Sequence, residues 1–417
     1  MAYHPRLIDQ QLKSRLNSAG AVLLEGAKAC GKTETATQFA QSTARLDTDP
    51  QIGIQMELDP SKVLEGLAPR LLDEWQEHPA IWNYVRREVD VRKEKGQFIL
   101  TGSAHPAEEI RRHSGAGRFS RLKMRTMSLC ECGWSSGEVS LQEIMNDAKA
   151  NSDSVDFELS ELIERVTFGG WPGLIDNASL GDARLFSQDY VAQIAEADLS
   201  KLANRRRDPI RVRRLINSLA RNISTEASLI ALARDSGGNE SPLNVETART
   251  YLDALEDLMI VEPLPAWSTH IRSSDTLRKA AKWHFVDPSL AIGALGLSPQ
   301  RLSDDLQYFG LLFESLAIRD LRIYAELFSA RVFHYRDSRG VEADAIVETP
   351  SGEWMAFEVK LGFSAVEDAA ENLKTLAEKI DTNRSKKPSA LVIITANGFA
   401  HRRKDGVFVV PLATLTA

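Results

Sequence analysis

The stretch "LLEGAKACGKTETATQFA", residues 23–40, decides the fold of the first part of the chain. The apolar run 21–24 predicts a short buried strand, and the pattern that follows predicts a helix over 32–42. Gly26 and Gly31 therefore bracket a loop between a strand and a helix. This context, with the spacing Gly-x-x-x-x-Gly-Lys-Thr, is typical of a loop whose backbone N–H groups surround phosphate groups.

The eight residues of this loop are candidate nucleotide contacts. Lys32 is placed to reach the β- and γ-phosphates, and Thr33 offers a hydroxyl to Mg²⁺. The N-terminus of the following helix adds a favourable field for anions. The alternative, a glycine-rich turn with a surface lysine, fits less well because both flanks match the required context. The predicted nucleotide site consists of Gly26, Ala27, Lys28, Ala29, Cys30, Gly31, Lys32 and Thr33.

Two carboxylates follow the next apolar strand, in the stretch "RLLDEW". We expect Asp73 to hold Mg²⁺ through water and Glu74 to polarise the attacking water. The buried strand in "FILTGS" places Thr101 or Ser103 at its end, where a polar side chain senses the γ-phosphate. An acid pair at a strand end without such a role is the alternative. Together with the loop, these residues predict a site that hydrolyses a nucleoside triphosphate with Mg²⁺ as cofactor.

Two arginine features have alternative interpretations. Arg118 follows a glycine-rich turn, and we expect it to stabilise transition-state charge in its own chain or in a neighbouring subunit. An exposed arginine without this role is equally compatible with the sequence, and so are a monomer, a dimer and a ring. A second set indicates a nucleic-acid contact, a solvated helical face or a set of arginines linked to hydrolysis. It consists of Arg205, Arg206, Arg207, Arg211, Arg213 and Arg214.

The order of predicted elements divides the chain into four parts. In 1–135, short apolar runs alternate with helical patterns, which predicts an α/β fold with a parallel sheet. A helical region follows over 136–222, and two helices with a strand pair over 223–265 have the order of a winged helix. The last part, 266–417, returns to mixed α/β. Its predicted elements are a helix over 308–327, strands over 331–336, 341–348 and 354–360, a helix over 364–380 and a strand over 390–395.

The last part carries acids at particular strand positions. In "FEVK" the side chains alternate between faces, so Glu358 and Lys360 project together. We expect Asp344, on the preceding strand, to lie beside them and Glu314, in the helix before, to add a third carboxylate. An Asp followed by Glu-x-Lys on the neighbouring strand resembles the pattern of the PD-(D/E)XK nucleases. This resemblance implies that Glu314, Asp344 and Glu358 hold Mg²⁺ and that Lys360 orients or helps deprotonate an attacking water. A structural acid–lysine pair at a strand edge is the alternative.

Several motifs, spread over nearly the whole chain, carry a resemblance to a known family. The stretches "GAKACGKT", "PRLLDEWQ", "GQFILTGSA", "FGGWPGL", "HFVDPSLA", "FESLAIRDLR" and "EVKLG" are similar to those of prokaryotic AAA+-type P-loop ATPases that have an uncharacterised C-terminal domain. The resemblance implies ATP as the nucleotide, a winged-helix middle and a restriction-endonuclease-like C-terminal fold. The acid and lysine pattern resembles that of the PD-(D/E)XK nucleases. The family implies no established cellular role.

Composition limits the classes of protein to which the chain can belong. A length of 417 residues is too great for one ordinary core, and a net charge of −7 argues against a wholly basic nucleic-acid coat protein. No stretch approaches the roughly 18 apolar residues of a membrane span, and the N-terminus lacks an apolar signal segment, so we expect a cytoplasmic protein without a membrane partner. Cys130 and Cys132 are too isolated for a zinc site.

Two hypotheses follow for the function. In the first, the nucleotide state of an AAA+-type ATPase controls a C-terminal nuclease-like or DNA-binding module. In the second, the chain is a nucleotide-dependent switch or scaffold that binds a protein partner, and its nuclease-like fold is catalytically inactive. A third, a winged-helix transcription regulator, is disfavoured because Arg249 is the single basic residue in the predicted recognition helix.

Overall fold

The computed structural model describes residues 3–103, 115–146, 150–198, 208–237, 241–269 and 280–417. The chain divides into two compact units, 1–126 with 256–260 and 127–255 with 261–417. The predicted helical, winged-helix-like and C-terminal parts belong to the second unit, apart from 256–260, and the boundaries between these parts remain predictions. Arg205, Arg206 and Arg207 lie outside the described residues.

The first unit contains a parallel sheet, as the sequence predicted, and this sheet has five strands. In chain order the strands are β1 (Ala21–Gly26), β2 (Ser42–Arg45), β3 (Arg70–Asp73), β4 (Phe98–Gly102) and β5 (Phe119–Met124), and their spatial order is β2-β3-β4-β1-β5. The helices are α1 (Ile8–Ser18), α2 (Lys32–Phe39), α3 (Pro50–Leu58) and α4 (Ile81–Arg92), with 3₁₀ turns at Pro60–Leu64 and Trp75–Glu77.

Burial on both faces explains the continuous apolar pattern of β1. Val22 and Leu24 belong to one core cluster, whereas Leu23 belongs to another on the opposite face. Because all five strands are parallel, their carboxyl ends meet at one edge of the sheet. The loops that follow β1, β3 and β4 therefore lie next to one another at this edge.

Helix α2 is shorter than the predicted 32–42. It ends at Phe39, and Ala40 has an extended backbone with φ of −79° and ψ of 142°. Residues from Ser42 onward form β2, which pairs with β3. The sequence pattern missed this edge strand because its polar residues do not form an apolar run.

The second unit contains the remaining strands. They are β6 (Val139–Ser140), β7 (Val261–Leu264), β8 (Lys282–Phe285), β9 (Arg331–Arg336), β10 (Glu342–Glu348), β11 (Trp354–Lys360), β12 (Ala390–Thr395), β13 (His401–Arg402), β14 (Phe408–Pro411) and β15 (Leu415–Thr416). Six of them form a mixed sheet in the order β13-β14-β12-β11-β10-β9, in which β10 is antiparallel to both neighbours and β11 is parallel to β12. The strands predicted at 331–336, 341–348, 354–360 and 390–395 are confirmed to within one residue.

The rest of the described chain after the first sheet is largely helical. The helices are Leu141–Met145, Leu159–Phe168, Pro172–Ile175, Leu180–Gln193, Pro209–Arg221, Leu229–Asp235, Val245–Asp257, Ser289–Leu295, Pro299–Asp304, Leu306–Leu327 and Val366–Lys379, with a π-helical turn at Ile194–Asp198 and 3₁₀ turns at Phe363–Ala365 and Leu412–Thr414. Leu306–Leu327 begins where the Asp305 side chain accepts a hydrogen bond from the Tyr308 N–H. No helix among the described segments combines the length and the apolar character that a membrane span requires.

A fully buried ion cluster joins distant segments of the second unit. The Arg319 guanidinium donates to Asp287 and to Asp320, each at 2.9 Å. Asp287 also accepts the Gly170 N–H at 2.8 Å, and Asp320 accepts the Leu129 N–H at 3.0 Å. The cluster therefore explains three motifs as structural, because "FGGWPGL" supplies Gly170, "HFVDPSLA" supplies Asp287 and "FESLAIRDLR" supplies both Arg319 and Asp320.

A second long-range connection in this unit involves β15. Leu415 pairs with Val139 and Thr416 with Ser140, in parallel. The Ser135 hydroxyl donates to the Leu415 carbonyl at 2.8 Å. Residues 275 or more positions apart in the sequence thus complete one small sheet.

Candidate functional site

The loop 26–33 turns from the end of β1 into α2, and its two glycines meet steric requirements. A Cβ atom on Gly26 would lie 2.3 Å from the Met124 carbonyl oxygen, so a larger residue cannot fit there. Gly31 has φ of 100°, in the left-handed region that glycine adopts without strain. The N-terminus of α2, with its free backbone N–H groups, follows directly and favours an anion.

The Lys32 side chain lies inside this loop. The residue is 5% exposed, and its ammonium donates to the Gly26 carbonyl at 3.0 Å and to the Ala27 carbonyl at 2.8 Å. These bonds hold the positive charge at the centre of the loop, where the nucleotide motif requires it. Of the other predicted contacts, Cys30 is buried, whereas Lys28 and Ala29 are exposed at the tip of the loop.

Asp73 lies at the centre of the carboxyl edge of the sheet. Its Oδ1 atom accepts the Thr33 hydroxyl at 2.8 Å and the Thr101 hydroxyl at 2.5 Å. A hydroxyl and a carboxylate in contact fit Mg²⁺, which prefers oxygen ligands and keeps several waters. Thr101 therefore contacts Asp73, and Ser103 is buried directly after the same strand; a contact of Thr101 or Ser103 with the γ-phosphate remains a prediction.

Glu74 directly follows this carboxylate. It has φ of 53° and ψ of 46°, a left-handed conformation that is uncommon for residues other than glycine. Its carboxylate accepts a hydrogen bond from the Gln76 side-chain amide. Strained backbone of this kind concentrates at functional sites, and the role of Glu74 in orienting water remains a prediction.

Arg118 lies outside this site. It precedes β5, and its carbonyl accepts the N–H of Ala21, the first residue of β1. This is the end of the sheet opposite to Gly26, about 17 Å away at a rise of about 3.3 Å per residue. Its guanidinium instead pairs with Asp90 at 2.7 Å. A role for Arg118 in its own chain is therefore wrong for this geometry, and a role toward a neighbouring subunit remains a prediction.

The structure adds Arg6, which the sequence analysis missed. This residue is 7% exposed, and its two terminal nitrogens donate to the carbonyls of Cys30 and Arg125, each at 2.9 Å. Arg6 thus fixes the phosphate loop to the segment that follows β5. A lone arginine in "YHPRL" gives no sequence signal of this contact.

The second candidate site is the C-terminal acid cluster, which β10 and β11 bring together. Ala345 pairs with Phe357, so Asp344 lies beside Glu358 across the two strands. The Asp344 carboxylate accepts the Val359 N–H at 2.8 Å, and the Lys360 ammonium lies 2.5 Å from Glu358 and 3.5 Å from Asp344. These three predicted residues are therefore close together.

Lys282, on β8, joins this cluster and was also missed. Its ammonium lies 2.9 Å from Glu314 Oε1 and 3.7 Å from Asp344 Oδ1. Its side chain is 12% exposed. In the sequence, a lysine at the start of the short strand "KWHF" resembles an ordinary surface residue.

Burial governs the electrostatics of the acid cluster. It raises the pKa of Glu314 to about 8, and the charge of Asp344 acts in the same direction. The same two causes, in the same order, raise the pKa of Glu358 to about 7. Burial alone lowers the pKa of Lys282, but Glu314 and Asp344 outweigh it and hold this pKa above its ordinary value. The lysine therefore stays charged, and both glutamates bind protons more readily than in water.

The acid cluster does not fit the predicted Mg²⁺ site. No three His, Cys, Asp or Glu side chains within the described residues are arranged as metal ligands. Glu314, Asp344 and Glu358 do come together, but the cations beside them are the ammonium groups of Lys282 and Lys360. The metal assignment for these three acids is corrected on this ground.

Comparison with family models divides the chain in three. Residues 18–133 match the AAA domain, whereas 159–301 and 309–415 match two domains of unknown function, DUF8612 and DUF4143. The chain therefore contains an AAA-type P-loop ATPase domain, as the motifs predicted. The C-terminal match supplies no activity, so nuclease-like character remains a prediction.

Individual proteins resemble the chain more weakly. Two uncharacterized proteins, from Mycobacterium tuberculosis and Mycobacterium bovis, are each 25% identical over 355 residues, which cover 84% of this chain and 72% of the relative. A Walker-type ATPase of Pyrococcus abyssi is 12% identical with a TM-score of 0.41, covering 69% of this chain and 94% of that one. A STAND ATPase of Pyrococcus horikoshii with a tetratricopeptide repeat sensor is 13% identical with a TM-score of 0.24, covering 78% and 51%. Sequence identities and TM-scores this low do not support an inference about function.

Proposed function

We propose that the chain binds ATP and hydrolyses it with Mg²⁺ at the site formed by the loop 26–33, Asp73 and Glu74. The observation that carries this proposal is the double hydrogen bond to Asp73, from Thr33 at 2.8 Å and from Thr101 at 2.5 Å. A phosphate-loop hydroxyl beside a strand-end carboxylate is the pair that holds Mg²⁺ in P-loop NTPases. The AAA match over 18–133 supports the same assignment.

Each residue of this site has a defined task. The loop N–H groups and Lys32 bind the phosphates, and Thr33 with Asp73 holds the metal. Mg²⁺, when bound, neutralises charge on the phosphates. Glu74 accepts a hydrogen bond from the attacking water and orients it, while Ser103 contacts the γ-phosphate.

Steady-state ATP turnover by the purified chain tests this assignment. Thr33→Ala is expected to lower turnover about 10- to 100-fold, the usual effect of disturbing a metal site. Thr37→Ala is the matched control, because Thr37 is an exposed threonine on the same helix whose hydroxyl donates to the Thr33 backbone carbonyl. Parent-like turnover by Thr33→Ala would contradict the assignment.

We further propose that the nucleotide state controls the second unit, with a winged-helix part over 223–265 and a restriction-endonuclease-like part over 266–417. Two helices followed by β7, which pairs in antiparallel with β8 from beyond residue 265, support the first part. The mixed sheet that brings Asp344, Glu358 and Lys360 together supports the second. The pairing of these acids with lysines favours a nucleotide-dependent switch that binds a protein partner over a nuclease.

ATP turnover measured with and without single- and double-stranded DNA separates the two candidate functions. The switch predicts slow turnover that DNA leaves unchanged, with the DNA intact on a gel. Stimulated turnover or cut DNA would instead support the nuclease-like or DNA-binding module. The molar mass of the protein in solution with ATP shows whether several copies of the chain assemble. Assembly is required if Arg118 acts on a neighbouring subunit.

A further inference from the structure

We propose that Lys282 is a built-in cation of the C-terminal acid cluster, which takes the place of a divalent metal between Glu314 and Asp344. The inference rests on the proposed nuclease-like arrangement of the second unit and deepens it. It assigns to this cluster a metal-independent structure that does not bind Mg²⁺.

The position of Lys282 supports this role because three separate elements converge on its ammonium. β8 carries the lysine and pairs with β7 through Lys282 and Leu264. The helix Leu306–Leu327 supplies Glu314 at 2.9 Å, and β10 supplies Asp344 at 3.7 Å. A metal ion bound by these two acids would lie between the same two carboxylates.

The carboxylate oxygens of Asp344 and Glu358 all have protein partners. Asp344 Oδ1 faces Lys282, whereas its Oδ2 accepts the Val359 N–H at 2.8 Å and lies 3.5 Å from the Lys360 ammonium. Glu358 Oε2 lies 2.5 Å from Lys360, and its Oε1 accepts the Asn372 amide at 2.6 Å. All four carboxylate oxygens of Asp344 and Glu358 therefore already face an ammonium, amide or backbone N–H group of the protein.

Charge leads to the same conclusion. Three carboxyl groups face two ammonium groups, so the net charge is −1 when all five are ionised, and a dication would turn it into +1. A dication placed among them would lie within about 4 Å of an ammonium, where like charges repel strongly at the low effective dielectric of a buried site. Binding would require Lys282 to leave a position in which its side chain is 12% exposed.

Mn²⁺ binding to the full-length chain tests the inference. Asp73→Asn serves as the parent background, because it removes the metal carboxylate of the nucleotide site, and no nucleotide is added. Lys282→Met removes the ammonium and keeps the length of the side chain. Lys282→Arg retains the cation, and Lys386→Met removes an exposed lysine that pairs with Glu353 at 2.5 Å in the same unit.

The expected result is one Mn²⁺ bound by Lys282→Met at least tenfold more tightly than by the parent, Lys282→Arg or Lys386→Met, as measured by the EPR signal of free Mn²⁺. Failure of Lys282→Met to gain Mn²⁺ would overturn the inference. A Mn²⁺ ion bound by the parent and lost on Asp344→Asn would also overturn it.

The comparison of Mn²⁺ binding between the parent and Asp344→Asn does not depend on whether Lys282→Met folds. If Lys282→Met is unstable, its melting temperature gives another test: a rise with Mn²⁺ that the parent lacks supports the inference, and no rise overturns it. Loss of ATP hydrolysis would refute the proposed function of the first unit alone, since these binding experiments contain no nucleotide.

Discussion

Arg319→Met is expected to destabilise the second unit strongly. The substitution removes the guanidinium that donates to Asp287 and Asp320, each at 2.9 Å. Both carboxylates are 0% exposed, so methionine leaves two buried acids without their cation. Removal of one partner from a buried ion pair costs about 3–5 kcal/mol, and methionine fills most of the vacated space. We therefore expect the free energy of unfolding of this unit to fall by that amount.

Urea unfolding followed by tryptophan fluorescence measures this change. Trp171 reports on the cluster, because its indole N–H donates to Ser289, whose hydroxyl donates to Asp287. Arg221→Met is the matched control, since Arg221 pairs with Asp235 at 2.7 Å but has a side chain 45% exposed. The control is expected to change the free energy by about 1 kcal/mol or less. A loss below about 1 kcal/mol for Arg319→Met would refute the reasoning.

Three further substitutions test other contacts. Arg6→Met is expected to raise the KM for ATP about tenfold, because the hydrogen bond from Arg6 to the Cys30 carbonyl positions the loop. Hydrogen bonds to charged groups contribute about 1.5–3 kcal/mol. An unchanged KM would contradict this role of Arg6. Thr101→Val, which loses the bond to Asp73, should lower kcat about 5- to 10-fold, and Thr101→Ser should restore it. The pKa of Glu314 is raised from 4.5 to about 8 in the folded chain, so its contribution to stability is present at low pH and is lost as the pH rises through 8. Glu314→Gln should therefore flatten the decline of the melting temperature between about pH 5 and 8, and parallel curves would argue against it.

The positions of the residues in the proposed nucleotide site were largely predictable because their determinants are local. Gly26, Gly31 and Lys32 lie within a few positions of one another, and the strand before them is a clear apolar run. The position of Asp73 near this loop follows from the rule that parallel strands present their carboxyl ends at one edge of the sheet. Arg118 was misplaced because a nearby glycine-rich turn does not indicate at which end of the sheet the turn lies.

The composition of the acid cluster was only half predictable. Asp344, Glu358 and Lys360 lie on adjacent strands joined by a short turn, so alternation and pairing bring them together. Lys282 is 62 positions before Asp344 and belongs to a different strand pair, so no periodicity connects it to the acids. The presence of the Lys282 ammonium in the acid cluster is thus visible only in the tertiary structure.

The pairing of β6 with β15 sets an order on how the chain folds during synthesis. Every strand of the first sheet has been made by Met124, so this sheet can form while the ribosome is still active. The β6 strand, in contrast, must wait for Leu415 and Thr416, because only these residues complete its pairing. Such a distant contact pays its loop-closure entropy late and slows folding. The second unit therefore lacks the β15 strand during most of its synthesis. In this interval the unpaired β6 segment is available for chaperones to bind.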